Sequence, residues 1–171
     1  HFGAAVDTDG SYVVVGAPDV DLSPATNAGA AYVYYRLPDL GSGNGASWVR
    51  SSGASGPGKL RADNPAGADA PNGAPLADQF GKAVAVAQGR IVTGIPGFNE
   101  TAGNQITRAD VGSIRTYAVG GLPDANNLGN LRAEVLTIAN KDADFGSRTW
   151  YEPNSRTLFV AAPNEQKAYT Y

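Results

Sequence analysis

The sequence predicts an all-β chain assembled from a repeated unit of four short antiparallel strands. Three observations carry this prediction. First, one pattern occurs three times: His1-Phe2-Gly3 … Gly16-Ala17-Pro18, Gln79-Phe80-Gly81 … Gly94-Ile95-Pro96, and Asp144-Phe145-Gly146 … Ala161-Ala162-Pro163. Second, the hydrophobic runs inside the pattern are short and β-branched, as buried strands are. Third, the 171 residues include 22 Gly and 11 Pro, a turn content that suits short strands and not long helices. A unit of this kind cannot bury its own hydrophobic face and must stack on its neighbours.

In the first unit, Phe2 to Val6 is the first predicted strand, and Asp7-Thr8-Asp9-Gly10-Ser11 supplies the turn, with Asp9-Gly10 as its tight centre. Tyr12-Val13-Val14-Val15 is the second strand. Pro18 ends pairing because it has no N–H to donate to a ladder. Gly29 to Tyr35 is the third strand, and Lys59 to Asn64 the fourth. The second unit follows the same order: Ala83 to Val86, a turn at Gln88-Gly89, Arg90 to Thr93, then Gly112 to Tyr117 and Val135 to Asn140. The third runs Ser147 to Tyr151, turns at Pro153-Asn154-Ser155, and continues with Thr157 to Val160 and Lys167 to Tyr171.

The spacing supports this register. Phe2 to Pro18 spans the same interval as Phe80 to Pro96, and most of the difference between the two Phe-to-Phe periods falls after the fourth strand. The segment Pro65 to Asp78, rich in Ala, Pro, Gly and Asp, therefore reads as an inserted surface loop. The predicted organisation is a first unit over residues 1–78 including that loop (65–78), a second over 79–143, and a partial third over 144–171. Four antiparallel strands per unit of this length is the pattern of a β-propeller blade. The chain thus holds two and a half to three blades of an incomplete propeller. Phe2, Phe80 and Phe145 are expected to wedge between adjacent sheets as packing residues. Both ends of the chain cut through a unit, which suggests a piece of a longer polypeptide.

Composition narrows function. Charged residues make up 17 % of the chain, with a formal net charge of −3 and no Lys/Arg cluster, which argues against a nucleic-acid partner. No apolar run reaches the length of a membrane span. The absence of Cys removes disulfides, thiolate nucleophiles and Cys-based zinc sites. The one His is His1, so an oriented catalytic imidazole is not expected.

The order Phe-Gly … Gly-Ala-Pro … Gly-Ala-x-Tyr-Val-Tyr resembles the FG-GAP repeat, which builds the propeller of integrin α subunits and of many bacterial surface proteins. The stretch from Trp48 through Lys59-Leu60 to Asp78-Gln79-Phe80-Gly81 is similar to the bacterial versions. The resemblance implies a propeller of about seven blades, extracellular or at the cell surface, serving adhesion or acting as a scaffold. It also raises calcium as a cofactor of the parent propeller, bound between Phe-Gly and Gly-Ala-Pro by an Asp-x-Asp-x-Asp-Gly-like loop. Calcium wants six to eight oxygen ligands. Here that span holds Asp7-Thr8-Asp9-Gly10, Ala87-Gln88-Gly89 and Glu152-Pro153-Asn154, which read as plain hairpin turns. No catalytic, cofactor or metal residue is therefore assigned in this segment. Asp19 and Asp21 are weighed as a separate loop site, Tyr32, Tyr34, Tyr35 and Trp48 as a sugar-stacking face, and Asn99-Glu100-Thr101 as an N-glycosylation sequon.

The resulting expectation is a non-enzymatic extracellular binding, adhesion or structural module. It would present Asp19–Asn27, Pro65–Asp78 and Phe98–Asp110 to a protein partner, to further copies or blades of the same protein, or to carbohydrate. The alternatives are an accessory propeller of a larger secreted enzyme, and a repeating subunit of an extracellular assembly that pairs through open blade edges.

Overall fold

A computed structural model of the chain describes residues 1–21, 26–37, 47–50, 59–60, 78–102, 105–108, 110–118, 134–136 and 144–171. The first sheet contains β1 (Ala5–Thr8), β2 (Tyr12–Ala17), β3 (Ala30–Leu37), β4 (Ser47–Arg50) and β5 (Lys59–Leu60). β1, β2 and β3 are consecutive antiparallel neighbours, and β4 and β5 both pair with β3. The second sheet contains β6 (Val84–Ala87), β7 (Arg90–Ile95), β10 (Ser113–Ala118) and β11 (Glu134–Leu136). Between β7 and β10, β8 (Glu100–Ala102) and β9 (Gln105–Arg108) form a separate hairpin. The third sheet is β12 (Arg148–Glu152), β13 (Thr157–Ala162) and β14 (Lys167–Thr170). The architecture is all-β, with sheets consistent with consecutive blades of a partial propeller.

Period-2 alternation sorts each strand's side chains onto two blade faces. Tyr12, Val14, Val33 and Tyr35 of the first sheet meet Phe80, Val84, Val86, Ile91, Ile95 and Tyr117 of the second in one core layer. The opposite face of the second sheet places Ala85, Val92 and Ile114 against Phe145, Leu158, Val160 and Ala162 of the third. The middle sheet is therefore buried on both sides, and every residue of β6 is buried. In β1 and β12 no residue is fully buried, because only one side of each outer sheet is covered. This is how stacking turns a unit without a core of its own into a cored domain.

The repeated motif is the device that joins blade to blade. Gly29 pairs with Phe80 in a parallel bridge, and Gly112 pairs with Phe145 in the same way. Phe80 donates its N–H to the Ala28 carbonyl at 3.0 Å, which pins the second blade to the first. In the first two units the glycine that opens the Pro-terminated stop lies under the incoming Phe-Gly. A Cβ on Gly16 would overlap the Gly81 carbonyl oxygen and stand 3.1 Å from its carbon. A Cβ on Gly94 would meet Gly146 still more closely, 2.8 Å from the carbonyl carbon. Phe80 and Phe145 are completely buried in these junctions.

The structure corrects several expectations. Phe2 is 62 % exposed, because among the described residues no sheet covers that face of the first blade, and its ring instead meets Tyr32 edge-on at 5.3 Å. The first strand begins at Ala5, not Phe2, since Gly3 and Ala4 both donate to the Gly16 carbonyl in a turn-like entry. In the first blade the fourth strand position is split. β4 pairs with the outer end of β3 (Leu37↔Ser47 to Tyr34↔Arg50), and β5 with its inner end (Tyr32↔Lys59, Ala31↔Leu60). The segment Phe98–Asp110, expected as a plain loop, contains the β8–β9 hairpin. Residues 65–77 of the inserted loop lie outside the described residues.

Candidate binding cleft

Each blade's first hairpin turns at the same end of the stack, and the three turns converge. They enclose a cleft of about 700 Å3 lined by Asp7, Asp9 and Tyr12 of the first blade, Gln88 of the second, and Trp150 and Tyr151 of the third, among others. The turns differ in chemistry. In the second blade Gln88 and Gly89 both have positive φ, 49° and 72°, the pattern of a two-residue hairpin turn. In the first blade the tight turn sits one residue later than the sequence suggested. Asp9 donates its N–H to the Tyr12 carbonyl, and Gly10-Ser11 lies between them with Gly10 at φ 86°.

The carboxylates in this cleft are already engaged by backbone donors. Asp9 Oδ1 accepts from the Ser11 and Tyr12 N–H groups at 3.0 and 2.9 Å. Asp7 Oδ1 accepts from Thr8, and Asp7 Oδ2 accepts from the Val86 N–H at 2.8 Å, a bond that crosses from the first blade to the second. Among the described residues no three potential metal-ligating side chains converge. Burial, and secondarily the charge of Asp9, pushes the Tyr12 hydroxyl pKa up, so Tyr12 stays protonated there as a donor. The cleft therefore combines two acceptor-rich turns with the 57 %-exposed indole of Trp150. That combination suits a ligand with a flat apolar face and polar edges, such as a sugar ring, or a cationic side chain that meets both carboxylate and aromatic face.

The third turn makes a testable electrostatic contribution. Glu152 accepts from the Ser155 N–H and from the backbone and side-chain nitrogens of Asn154. The Ser155 and Asn154 donors hold the Glu152 carboxyl below the usual carboxylate range. A folded-state pKa below the unfolded one stabilises the fold above the unfolded pKa, and that contribution is lost as pH falls through the folded value. Glu152→Gln is expected to flatten the acid side of the melting-temperature profile relative to the parent chain. Thermal unfolding measured from neutral pH downward checks this, and an unchanged slope would count against the turn assignment.

The other candidates from the sequence are dispersed. Asp19 contacts the His1 imidazole, and Asp21 Oδ1 accepts from the Asn27 N–H at 2.9 Å, so each closes local structure. Three of the four residues of the proposed stacking face, Tyr32, Tyr34 and Trp48, share one side of the first sheet, and Tyr35 does not. Tyr35 is buried against the second blade, while Tyr32 and Tyr34 point to the opposite face. Trp48 stands across from Arg36 on the Tyr32 side and is exposed. Asn99 of the sequon is 5 % exposed; its Nδ2 donates to the Gly97 carbonyl and its Oδ1 accepts from the Asp110 N–H at 2.9 Å. It clamps the base of the β8–β9 excursion and offers no accessible amide in the folded chain. Asp78, at the end of the inserted loop, is buried, and its carbonyl accepts from Gly97. Gln88 was read from the sequence as a turn residue only, and Trp150 and Tyr151 were not read as site residues, although they lie on the strand that leads into the third unit's first-hairpin turn.

No helix among the described residues is long and apolar enough to cross a membrane. No curated protein matches the chain. Residues 1–34, which span Phe2-Gly3, Gly16-Ala17-Pro18 and most of β3, match the family model of the FG-GAP repeat. The chain carries an FG-GAP repeat over residues 1–34, within an all-β stack consistent with a partial propeller.

Proposed function

We propose that this chain is a non-enzymatic binding module of an extracellular propeller-type protein, and that the cleft formed by the three first-hairpin turns is its ligand-contact surface. The convergence of Asp7, Asp9, Tyr12, Trp150 and Tyr151 from two separate blades supports this reading. FG-GAP repeats are frequent in adhesion and extracellular proteins, which favours a polysaccharide or a protein segment as ligand. Trp150 supplies a built-in reporter. In a Trp48→Phe background it is the remaining tryptophan. Titration with neutral oligosaccharides and with basic peptides is expected to give a saturable change in its emission for one of the two classes. No response to either class, or chemical turnover of an offered ligand, would overturn the proposal.

A further inference from the structure

The two blade junctions share two glycine positions against the next blade's backbone, and the outer face of the third blade departs from both. Backbone hydrogen bonds set the alignment. Gly3, Gly81 and Gly146 donate to the carbonyls of Gly16, Gly94 and Ala161, so these three acceptors are equivalent. In the first two blades that residue is glycine, and a Cβ there would strike the next blade's Phe-Gly backbone. In the third blade it is Ala161, which already carries that Cβ. The residue preceding the third strand is also equivalent in all three blades and always has positive φ: Gly29 at 82°, Gly112 at 77°, Gln166 at 56°. A Cβ on Gly29 would approach within 2.8 Å of the Gln79 carbonyl carbon, and one on Gly112 within 2.6 Å of the Phe145 nitrogen. Gln166 puts a whole side chain there.

The strands show the same change. Ala85 opposes Val92 on the face of the second blade that receives the third. The matching pair on the third blade is Trp150 and Phe159, whose rings stack at 5.1 Å. At all four positions the third blade carries a larger residue than the second: Ala161 for Gly94, Gln166 for Gly112, Trp150 for Ala85 and Phe159 for Val92.

We infer that the outer face of the third blade is a stop: it rejects a further Phe-Gly blade edge docked in the register of the internal junctions, including the edge of a second copy of this chain. The first blade presents such an edge. Phe2 is exposed, and a Cβ on Gly3 would meet nothing within 4 Å. The first-blade edge of a second copy is thus an edge that this face would exclude in that register. Heterologous contacts of this kind otherwise propagate without closing.

The test is a gain of association. Trp150→Ala, Phe159→Val, Ala161→Gly and Gln166→Gly, combined in the full chain, restore the junction residues. Sedimentation velocity across a range of concentrations is expected to show self-association at least about tenfold tighter than the parent's, an effect that Phe2→Ala reverses. A parent chain that already associates through Phe2, or a folded variant no stickier than the parent, would overturn the inference. Should the fourfold variant fail to fold, the reverse exchange decides. Gly94→Ala with Gly112→Gln installs the stop at the internal junction and is expected to abolish amide-exchange protection at Phe145 and Gly146. Retained protection there would also overturn it.

Discussion

Replacing Gly94 with alanine is expected to destabilise the chain by about 3 kcal/mol or more, the upper part of the range for overpacked sites. The cause is backbone against backbone. The new methyl would occupy the space of the Gly146 carbonyl, and neither partner is the far end of a flexible side chain that could swing away. Relief requires the second and third blades to separate, which would open the layer of Val92, Ile114, Phe145 and Val160. For a chain of this length the loss corresponds to a fall in melting temperature of roughly 6–12 °C. Differential scanning calorimetry measures it directly. A change within about 0.5 kcal/mol, the usual span of surface substitutions, would show that the junction relaxes without strain.

The second large effect is a contrast among three residues that are identical in the sequence. Phe80→Ala is expected to cost about 3–5 kcal/mol, the range for truncating a fully buried phenylalanine, and Phe145→Ala a similar amount. Each ring is completely buried between two blades. Phe2→Ala is expected to cost less than about 1 kcal/mol, since its ring is mostly exposed and packs only edge-on against Tyr32 among the described aromatic rings. Denaturant unfolding of the three variants tests both statements together. Equal losses at all three positions would contradict the open face of the first blade.

The Phe2 contrast also marks how far a repeat can be read from its letters. The motif assigns the same role to Phe2, Phe80 and Phe145, and the structure grants it to two of them. The difference is not in the residue or its neighbours along the chain. It lies in whether another sheet covers the ring. The cleft has the same origin. Asp7 and Asp9 were legible as turn residues, but Trp150 and Tyr151 enter only because stacking brings a turn some 140 positions away alongside them. The β8–β9 hairpin was missed for a different reason. Its strands are three and four residues long, too short for alternation to distinguish them from an irregular loop.

What the amino-acid sequence determined by itself is local: β-branched runs, turn residues, prolines that end pairing, and the equivalence of three units. These follow from backbone sterics and from period-2 burial, which act over a few residues. Tertiary structure alone decided which faces are covered, that Asn99 is a buried clamp and not an accessible amide, and that a Cβ at Gly16 or Gly94 would collide with the next blade's backbone. Those outcomes depend on the close approach of backbones from different units. A gap of one methyl group separates docking from exclusion there, and it exists only once the blades are stacked.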